Sequence, residues 1–295
     1  MINKTGVFSI VGRPNAGKST LLNALCGEKI SIVSDKPQTT RNALRGIAEE
    51  GDCQLIFIDT PGLHKARNSL GDYMTKVIED TVGDADAAIL IVEPAARIGI
   101  PENLLIDRIK KLGIPCVLVI NKIDTLKNKE DLLAVMRLYS EAHPFEEIVP
   151  ISAKTGEGVS ELRRILCGMC IGSPQLYPDG MRSDLPERAA VSERIREKLL
   201  ICLDKEIPHG TAVEIEELKT DRIVEISAVI YCEKASHKGI IIGKSGEMLK
   251  RIGTLARTDL ESYYGKKVFL QLWVKVKEDW RNNPAQVRNF GYYND

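Results

Sequence analysis

Short apolar runs alternate with amphipathic stretches along the first half of the chain. Five of these runs are bounded by turn residues, as is typical of buried strands in a mostly parallel sheet: 7–11, 55–58, 87–92, 117–120 and 148–151. The intervening and following periodic stretches predict helices over 18–26, 70–82, 101–112, 129–142 and 159–170. We therefore expect an α/β fold in this half of the chain.

The pattern changes beyond residue 171. Gly, Pro, Ser and Asp follow one another without periodicity over 172–185, which predicts a linker. After it we expect a helix over 187–203 and two strands of alternating pattern over 212–218 and 224–232. Two helices around a glycine-rich loop and a last strand over 268–276 should follow. The predicted organisation is an α/β domain over 1–171, the linker, and a small α+β domain with a C-terminal tail over 186–295.

Composition places this chain among soluble globular proteins. Its 295 residues are 43% hydrophobic and 28% charged, which leaves room for two cores. We see no apolar run near the roughly 20 residues of a membrane span and no export signal, so a cytoplasmic protein is expected. The seven scattered cysteines favour reduced, buried thiols over disulfides. The C-x-x-C at Cys167 and Cys170 is interpreted as helix packing rather than a zinc or redox site, because no second ligand pair stands near.

A phosphate-binding loop follows the first predicted strand. Residues 12–19 read Gly-Arg-Pro-Asn-Ala-Gly-Lys-Ser and fit the template G-x-x-x-x-G-K-[ST] between a strand and a helix. Backbone N–H groups of such a loop surround phosphate oxygens, Lys18 can lie between the β- and γ-phosphates, and Ser19 can bind Mg²⁺. The predicted phosphate-binding residues are Asn15, Ala16, Gly17, Lys18, Ser19 and Thr20, with Asp59 and Gly62 from the next motif.

The second motif, Asp59-Thr-Pro-Gly62, closes the strand over 55–58. Its carboxylate can reach Mg²⁺ through water, and its glycine N–H can sense the γ-phosphate. A further Mg²⁺ ligand is expected from the polar loop over 37–42, where we favour Thr40 over Thr39. Lys18, Thr40 and Gly62 are the predicted catalytic groups.

Two more motifs predict recognition of guanine. Asn121-Lys-Ile-Asp124 follows one strand, and Ser152-Ala-Lys154 follows the next. An aspartate can accept hydrogen bonds from the ring N–H and the exocyclic amino group of guanine together, a pairing that adenine does not offer. The ligands of open α/β sheets bind at these strand ends. The predicted guanine-binding residues are Asn121, Lys122, Asp124, Ser152, Ala153 and Lys154.

The second half carries a G-x-x-G loop between two predicted helices, Gly243-Lys-Ser-Gly246, which resembles the KH signature of RNA-binding domains. Eight lysines and arginines face three acids between residues 234 and 267, a local charge of +5. The predicted RNA-binding residues are Gly243, Lys244, Ser245, Gly246, Lys250 and Arg251. Of the two tryptophans, Trp273 is expected in the core, and Trp280, in the tail over 279–284, is expected to contact RNA.

Several segments together resemble the Era family of bacterial GTPases, and the resemblance spans essentially the whole chain. They are the loop 38–41, the segments 59–65 and 70–74, and the segments 176–179, 186–188 and 206–209. The resemblance implies a TRAFAC-class G domain, a type II KH domain, and a GTP/GDP switch in biogenesis of the small (30S) ribosomal subunit. It also implies Mg²⁺, binding near the 3′ end of 16S rRNA, and a peripheral contact with the inner face of the cell membrane. Ser245 departs from the family, which commonly has glycine at this position. The segment 180–183 also departs from the family pattern.

Position 63 holds leucine where many GTPases place a glutamine that orients the attacking water. Intrinsic hydrolysis should therefore be slow. The resemblance points to GTPases that use K⁺ instead, held in part by the loop asparagine that Asn15 matches. Arg13 or Arg41 could supply the positive charge in place of the ion, and His64 is a less favoured candidate to act on water.

Two other functions stay open at this point. One is a passive RNA-binding assembly module in which the nucleotide has only a structural role. The other is a GTPase of tRNA modification, which shares the leucine and the threonine loop but is expected to carry a different C-terminal domain with a catalytic cysteine.

Overall fold

The computed structural model describes residues 2–62 and 68–292, apart from the side chains of Glu79 and Lys129. The chain forms two compact units. The first comprises residues 1–33, 40–65 and 74–184, and the second comprises 34–39, 66–73 and 185–295.

The first unit is a sheet flanked by helices. Its strands are β1 (Lys4–Val11), β2 (Leu44–Glu50), β3 (Cys53–Asp59), β4 (Ala87–Val92), β5 (Cys116–Ile120), β6 (Glu147–Pro150) and β7 (Ile171–Gly172). Its helices are α1 (Lys18–Cys26), α2 (Ser69–Gly83, whose first residues group with the second unit), α3 (Ile100–Leu112), α4 (Lys129–Ala142) and α5 (Val159–Met169). The strand order is β2-β3-β1-β4-β5-β6, with β7 beside β1. The pairs along β3-β1-β4-β5-β6 are parallel, so the predicted α/β fold with a mostly parallel sheet is confirmed.

The antiparallel edge strand β2 was not predicted from the apolar pattern. It begins at Leu44 and ends in two glutamates, and its glycine breaks the alternation of side chains. Gly46 is needed there because a Cβ at this position would lie 2.6 Å from both the Leu22 Cδ1 and the Cys26 Sγ of α1. Close packing of a helix on the sheet therefore removed the signal that identifies strands in sequence.

The segment predicted as a linker is ordered against the first unit up to residue 184. The buried side chain of Gln54 on β3 donates to the Tyr177 carbonyl (2.8 Å) and accepts from the Leu176 N–H (2.9 Å). The Ile47 N–H of β2 donates to the Arg182 carbonyl (2.8 Å). Contacts that are distant in sequence thus give structure to a stretch without periodicity.

The second unit is α+β, as predicted. Its elements are α6 (Glu187–Cys202), β8 (Ala212–Thr220), β9 (Val224–Cys232), α7 (Ala235–Ile242), α8 (Glu247–Tyr264), β10 (Val268–Val276) and α9 (Pro284–Asn289). The sheet order is β10-β9-β8, with β9 antiparallel to β8 and parallel to β10. One face of this sheet packs against α6, α7 and α8 around a core drawn from residues 191–274. No helix of the described residues is long and apolar enough to cross a membrane.

The expectation that all cysteines are reduced is wrong for one pair. Cys53 on β3 and Cys167 on α5 form a disulfide, with Cα atoms 5.9 Å apart and 114 residues apart in sequence. Cys170, the neighbour of Cys167 in the C-x-x-C, is a free thiol. Sequence spacing could not reveal the pair, because only the packing of α5 on β3 brings the two sulfurs together.

Candidate nucleotide and RNA sites

The loop between β1 and α1 is shaped by glycines that admit no side chain. A Cβ at Gly12 would lie 2.5 Å from the Ile91 carbonyl oxygen. Gly17 adopts a φ of +100°, and a Cβ there would collide with the amide nitrogen of Asn121. Asn15 also has a positive φ, +64°, and its side chain is exposed. The backbone is therefore held in the curled form that a phosphate-binding loop requires.

Lys18, the first residue of α1, is buried within this loop. Its ammonium donates to the carbonyl oxygens of Gly12 (3.2 Å) and Arg13 (3.1 Å). Burial lowers the pKa of Lys18 from 10.5 to about 8, although the nearby Asp59 carboxylate partly offsets the shift. The lysine is thus a poorly solvated cation whose charge an anionic ligand would stabilise.

Three hydroxyl groups converge on one oxygen of the buried Asp59. Its Oδ2 accepts from the hydroxyls of Ser19 (2.7 Å), Ser31 (3.1 Å) and Thr40 (3.2 Å). The Ser19 and Thr40 hydroxyls also lie 2.8 Å apart. Burial raises the pKa of Asp59, while Lys18 and these hydrogen bonds lower it in part.

The other Asp59 oxygen, Oδ1, is buried and has no hydrogen-bond partner among the described residues. A cluster of hard oxygen donors around a partly unsatisfied carboxylate fits a magnesium ion. Ser31 was missed by the sequence analysis, since it belongs to no motif. The Asn23 side chain places it by accepting from the Ser31 N–H at 2.8 Å.

Asn121 joins two of the loops that the sequence analysis singled out. Its side-chain amide donates to the Ala16 carbonyl (2.8 Å), and its side-chain oxygen accepts from the Ala153 N–H (2.9 Å). The Ser152 hydroxyl donates to Asp124 Oδ1 (2.6 Å), which orients the exposed carboxylate. Three motifs that are far apart in sequence therefore meet at the carboxyl ends of β1, β5 and β6.

Charged contacts at the rim of the loop involve a residue that no motif contains, Glu93 after β4. Its carboxylate contacts both Lys122 and Arg13, and the Arg13 Nε also lies 3.7 Å from Glu102. Lys122 donates in addition to the Asn15 carbonyl (2.7 Å). Arg13 is thus held by two carboxylates, which makes it a poor source of charge for a transition state.

The remaining predicted residues of the nucleotide site differ in environment. Gly62 lies against the phosphate loop, because a Cβ there would come within 2.9 Å of the Pro14 Cα. Thr20 lies in the first turn of α1, Lys154 is exposed, and the Arg41 side chain is 2% exposed. Leu63 and His64 lie outside the described residues.

The G-x-x-G loop forms the turn between α7 and α8. Gly243 (φ +75°, ψ 175°) and Gly246 (φ +80°) have conformations that favour glycine, and Ser245 itself adopts a φ of +51°. The side chains of Lys244 and Ser245 are exposed. The loop therefore offers backbone N–H groups and an ammonium to an approaching phosphate.

Beside this loop lies a groove of about 450 Å³ between α8 and β10. Its lining joins apolar and cationic side chains: Gly246, Leu249, Lys250, Gly253, Thr254, Arg257, Val268, Phe269, Leu270 and Leu272. Lys250 lies on this face of the helix, but the predicted Arg251 does not line the groove. Arg257, which was missed, does, because it lies seven residues after Lys250 on the same helical face.

Both tryptophan predictions are wrong. Trp273 is 57% exposed on β10, whereas Trp280 is fully buried and donates to the Gly210 carbonyl at 3.0 Å. The Trp280 ring packs against Phe290 and Tyr292, which anchors the C-terminal segment rather than presenting it to RNA. A strand position indicates burial only for one of the two faces of a sheet, and Trp273 lies on the other face.

Comparison with known proteins agrees with both sites. A family model described as 50S ribosome-binding GTPase matches residues 7–122, and a KH domain model matches residues 206–281. The chain is 47% identical to GTPase Era of Clostridioides difficile (strain 630), over 98% of both chains. It is 48% identical to GTPase Era of Alkaliphilus metalliredigens (strain QYMF), over 99% of this chain and 100% of that one.

Two solved structures resemble the fold over 99% of this chain and 100% of theirs, each with a TM-score of 0.95 and 37% identity. One is Era in complex with MgGDPNP and nucleotides 1506–1542 of 16S ribosomal RNA. The other is a variant of Aquifex aeolicus Era bound to GDP and AlF4⁻. With the phosphate loop, the guanine-site motifs and the KH groove in place along the full length, this chain belongs to the Era family of GTPases.

Proposed function

We propose that this chain acts as a GTP/GDP switch that binds the 3′ end of 16S rRNA during biogenesis of the 30S ribosomal subunit. The observation that carries the proposal is the presence of two features on one chain, a buried Asp59 cluster beside Lys18 and a G-x-x-G loop beside a cationic groove. The solved Era that binds both MgGDPNP and nucleotides of 16S rRNA matches the chain from end to end.

In the first unit, positioning and charge account for GTP hydrolysis. Mg²⁺ held by Ser19 and Thr40, and by Asp59 through water, would neutralise charge on the β- and γ-phosphates. Lys18 supplies a fixed cation in a site of low dielectric constant, where charge interacts more strongly than in water. The Gly62 N–H would sense the γ-phosphate, and the Asp124 carboxylate would accept from the ring N–H and the amino group of guanine.

In the second unit, the groove suits single-stranded RNA. Leu249 and Leu270 offer apolar surface to bases, while Lys250 and Arg257 offer charge to phosphates along one helical face. The exposed Lys244 belongs to the loop whose last residue, Gly246, lines this groove.

The first prediction tests this RNA site. Replacing Lys244 and Ser245 with aspartates places negative charge where phosphate should lie, so affinity for 16S 3′-end RNA should fall by about two orders of magnitude or more. Filter binding over a range of salt concentrations measures both the affinity and its salt dependence, which should flatten. Lys111→Asp with Ser140→Asp is the matched control, since it makes the same charge change at exposed sites of the first unit. Wild-type RNA affinity in the loop variant would overturn the KH assignment.

We also propose that K⁺ assists hydrolysis, with Asn15 as one ligand. Developing charge between the β- and γ-phosphates calls for a cation besides Lys18 and Mg²⁺. Arg13, one alternative source of that charge, is already held by Glu93 and Glu102. The exposed Asn15 side chain and the curled backbone around it belong to the same loop as Lys18.

The second prediction concerns this ion. Single-turnover GTP hydrolysis should be about tenfold faster in K⁺ than in Na⁺ at equal ionic strength, because the smaller Na⁺ would fill the proposed site less well. Asn15→Ala should remove the difference between the two cations. A wild-type rate that is indifferent to the cation would refute the proposal, whereas K⁺ stimulation that survives in the variant would place the ion away from Asn15.

The tRNA-modification alternative does not fit the second unit. It requires a reactive cysteine, but Cys202 and Cys232 are buried in the KH core, and burial raises the pKa of both thiols. A passive module would not require the oxygen cluster at Asp59 together with a guanine-reading aspartate. A peripheral contact with the inner face of the cell membrane stays a prediction of the family resemblance.

A further inference from the structure

The sheet of the second unit presents two chemically different faces. Alternate residues of β10 face the helices and pack on the core: Val268, Leu270, Leu272 and Val274. The intervening residues lie on the opposite side, which we call the open face: Phe269, Gln271, Trp273 and Lys275.

Two large aromatic side chains are exposed on this open face. Phe269 is 55% exposed and Trp273 is 57% exposed, and they lie roughly 13 Å apart along the strand. Phe269 also borders the RNA groove, whereas Trp273 does not line it. Exposed tryptophan surface of this size is uncommon on a surface that only meets water and is enriched where proteins bind partners.

The charge around Trp273 is negative. The pairing of β8 with β9 places three carboxylates on the open face: Glu214, Glu217 and Glu225. A fourth, Glu216, lies in a bulge of β8 and reaches Lys275 of this face. Two lysines on this face are each engaged with a carboxylate, Lys219 with Glu217 at 2.6 Å and Lys275 with Glu216 at 3.1 Å. A phosphate backbone would be repelled from such a surface.

The C-terminal part of the chain covers the far end of the open face. Its contacts there show which chemical groups fit the aromatic side chains of this face. Tyr231 packs against Phe290, which follows α9, with ring centroids 5.0 Å apart. The Lys277 ammonium lies over both rings, 5.5 Å from Tyr231 and 5.2 Å from Phe290. At this end a protein segment meets the aromatic row, with a cation over the rings.

We propose that the uncovered part of the open face, around Trp273, docks an arginine- and lysine-rich segment of another protein. A guanidinium or ammonium group can lie on the indole ring, with Glu214 in the same row across the sheet as Trp273. Glu225, which pairs with Phe269, can attract a second basic residue of the segment. Apolar residues of the same segment would cover the remaining ring surface. Because Trp273 does not line the RNA groove, RNA and the cationic segment can bind together.

The test titrates the full-length protein with a short synthetic peptide that alternates arginine and leucine. Trp273 is the exposed one of two tryptophans, so acrylamide quenching of intrinsic fluorescence reports on it directly. The bound peptide should protect this fluorescence, and Trp273→Ser should weaken binding by about tenfold in fluorescence anisotropy with labelled peptide. Unchanged thermal unfolding of the variant shows that its fold is intact.

Charge reversal provides the matched comparison. Glu214→Lys with Glu225→Lys should lower peptide affinity by about tenfold or more, whereas Glu130→Lys with Glu141→Lys, on exposed positions of α4, should leave it unchanged. Equal losses in the two double variants would show non-specific attraction and overturn the proposal. Peptide binding that leaves Trp273 open to the quencher would also overturn the proposal. Protection of Trp273 by 16S 3′-end RNA would overturn it too, because it would assign the face to RNA.

Discussion

At the scale of single residues, the nucleotide site is controlled by two buried charges of opposite sign. Desolvation lowers the pKa of Lys18 and raises that of Asp59, so burial weakens both charges and their mutual attraction restores them only in part. Because the two buried charges destabilise the protein without ligands, an anion beside Lys18 and a cation beside Asp59 gain additional binding free energy by neutralising them. The site is therefore built for a phosphate and a metal ion rather than for the stability of the empty protein.

The third prediction follows from the lowered pKa of Lys18. Between about pH 8 and 10.5 the unfolded chain holds a proton that the folded chain has lost, so the free energy of unfolding of the nucleotide-free protein should rise with pH in that window. NMR of ¹³C-labelled lysines should show one side chain that titrates near pH 8. Its signal should be missing in Lys18→Met, and a wild-type spectrum in which every lysine titrates near the ordinary value would contradict the lowered pKa.

At the scale of elements, the turn between α7 and α8 determines where the RNA-binding backbone lies. Gly243 combines a φ of +75° with a ψ of 175°, and a Cβ there would lie 2.7 Å from the Met248 Cβ and 2.9 Å from the Met248 N. No rotamer change relieves a collision with backbone. The first glycine of the motif is therefore required by the packing of α8 as well as by the approach of RNA.

The fourth prediction separates steric collision from backbone strain. Gly265, at the end of α8, also has a positive φ (+62°), but a Cβ there would meet nothing within 4 Å. Gly265→Ala should cost about 1 kcal/mol of the free energy of unfolding through strain alone. Gly243→Ala should cost about 3 kcal/mol or more, because the collision adds to the strain. Urea denaturation measures both, and equal costs would mean that the turn relaxes around the new methyl group.

At the scale of the whole molecule, each unit has its own core. Among the described residues, the core of the second unit is drawn from residues 191–274. None of its buried members belongs to the segments 34–39 and 68–73, which group with this unit. Hydrophobic burial of this kind is sufficient for a domain of about 100 residues to fold alone. Residues 172–184, predicted as a linker, group with the first unit, and the second unit continues from residue 185.

The fifth prediction is that the isolated fragment 186–295 folds and binds 16S 3′-end RNA. In the full chain, Lys18→Ala with Ser19→Ala should abolish GTP hydrolysis and leave this RNA affinity intact. Circular dichroism and filter binding are the measurements, with the fragment carrying Lys244→Asp and Ser245→Asp as the control for specific binding. A fragment that is unfolded, or folded but unable to bind RNA, would show that the two units are not independent.

Much of the architecture could be predicted from local pattern, because apolar periodicity and glycine positions act over a few residues. The helices at 18–26 and 129–142 and the strands at 87–92, 224–232 and 268–276 begin and end where predicted. The four nucleotide motifs and the G-x-x-G loop were likewise visible in the sequence, since each is a short run placed after a strand or between helices.

Contacts between residues far apart in sequence were decided only by the tertiary structure. The Ser31 hydroxyl on Asp59, the Glu93 bridge between Lys122 and Arg13, and the Cys53–Cys167 disulfide each join residues that no local pattern relates. The tertiary structure also decided that Trp273 is exposed and Trp280 is buried, because exposure depends on which face of the sheet is covered. By itself the sequence determined the elements and the chemistry of its motifs, while only packing in three dimensions decided which side chains surround them.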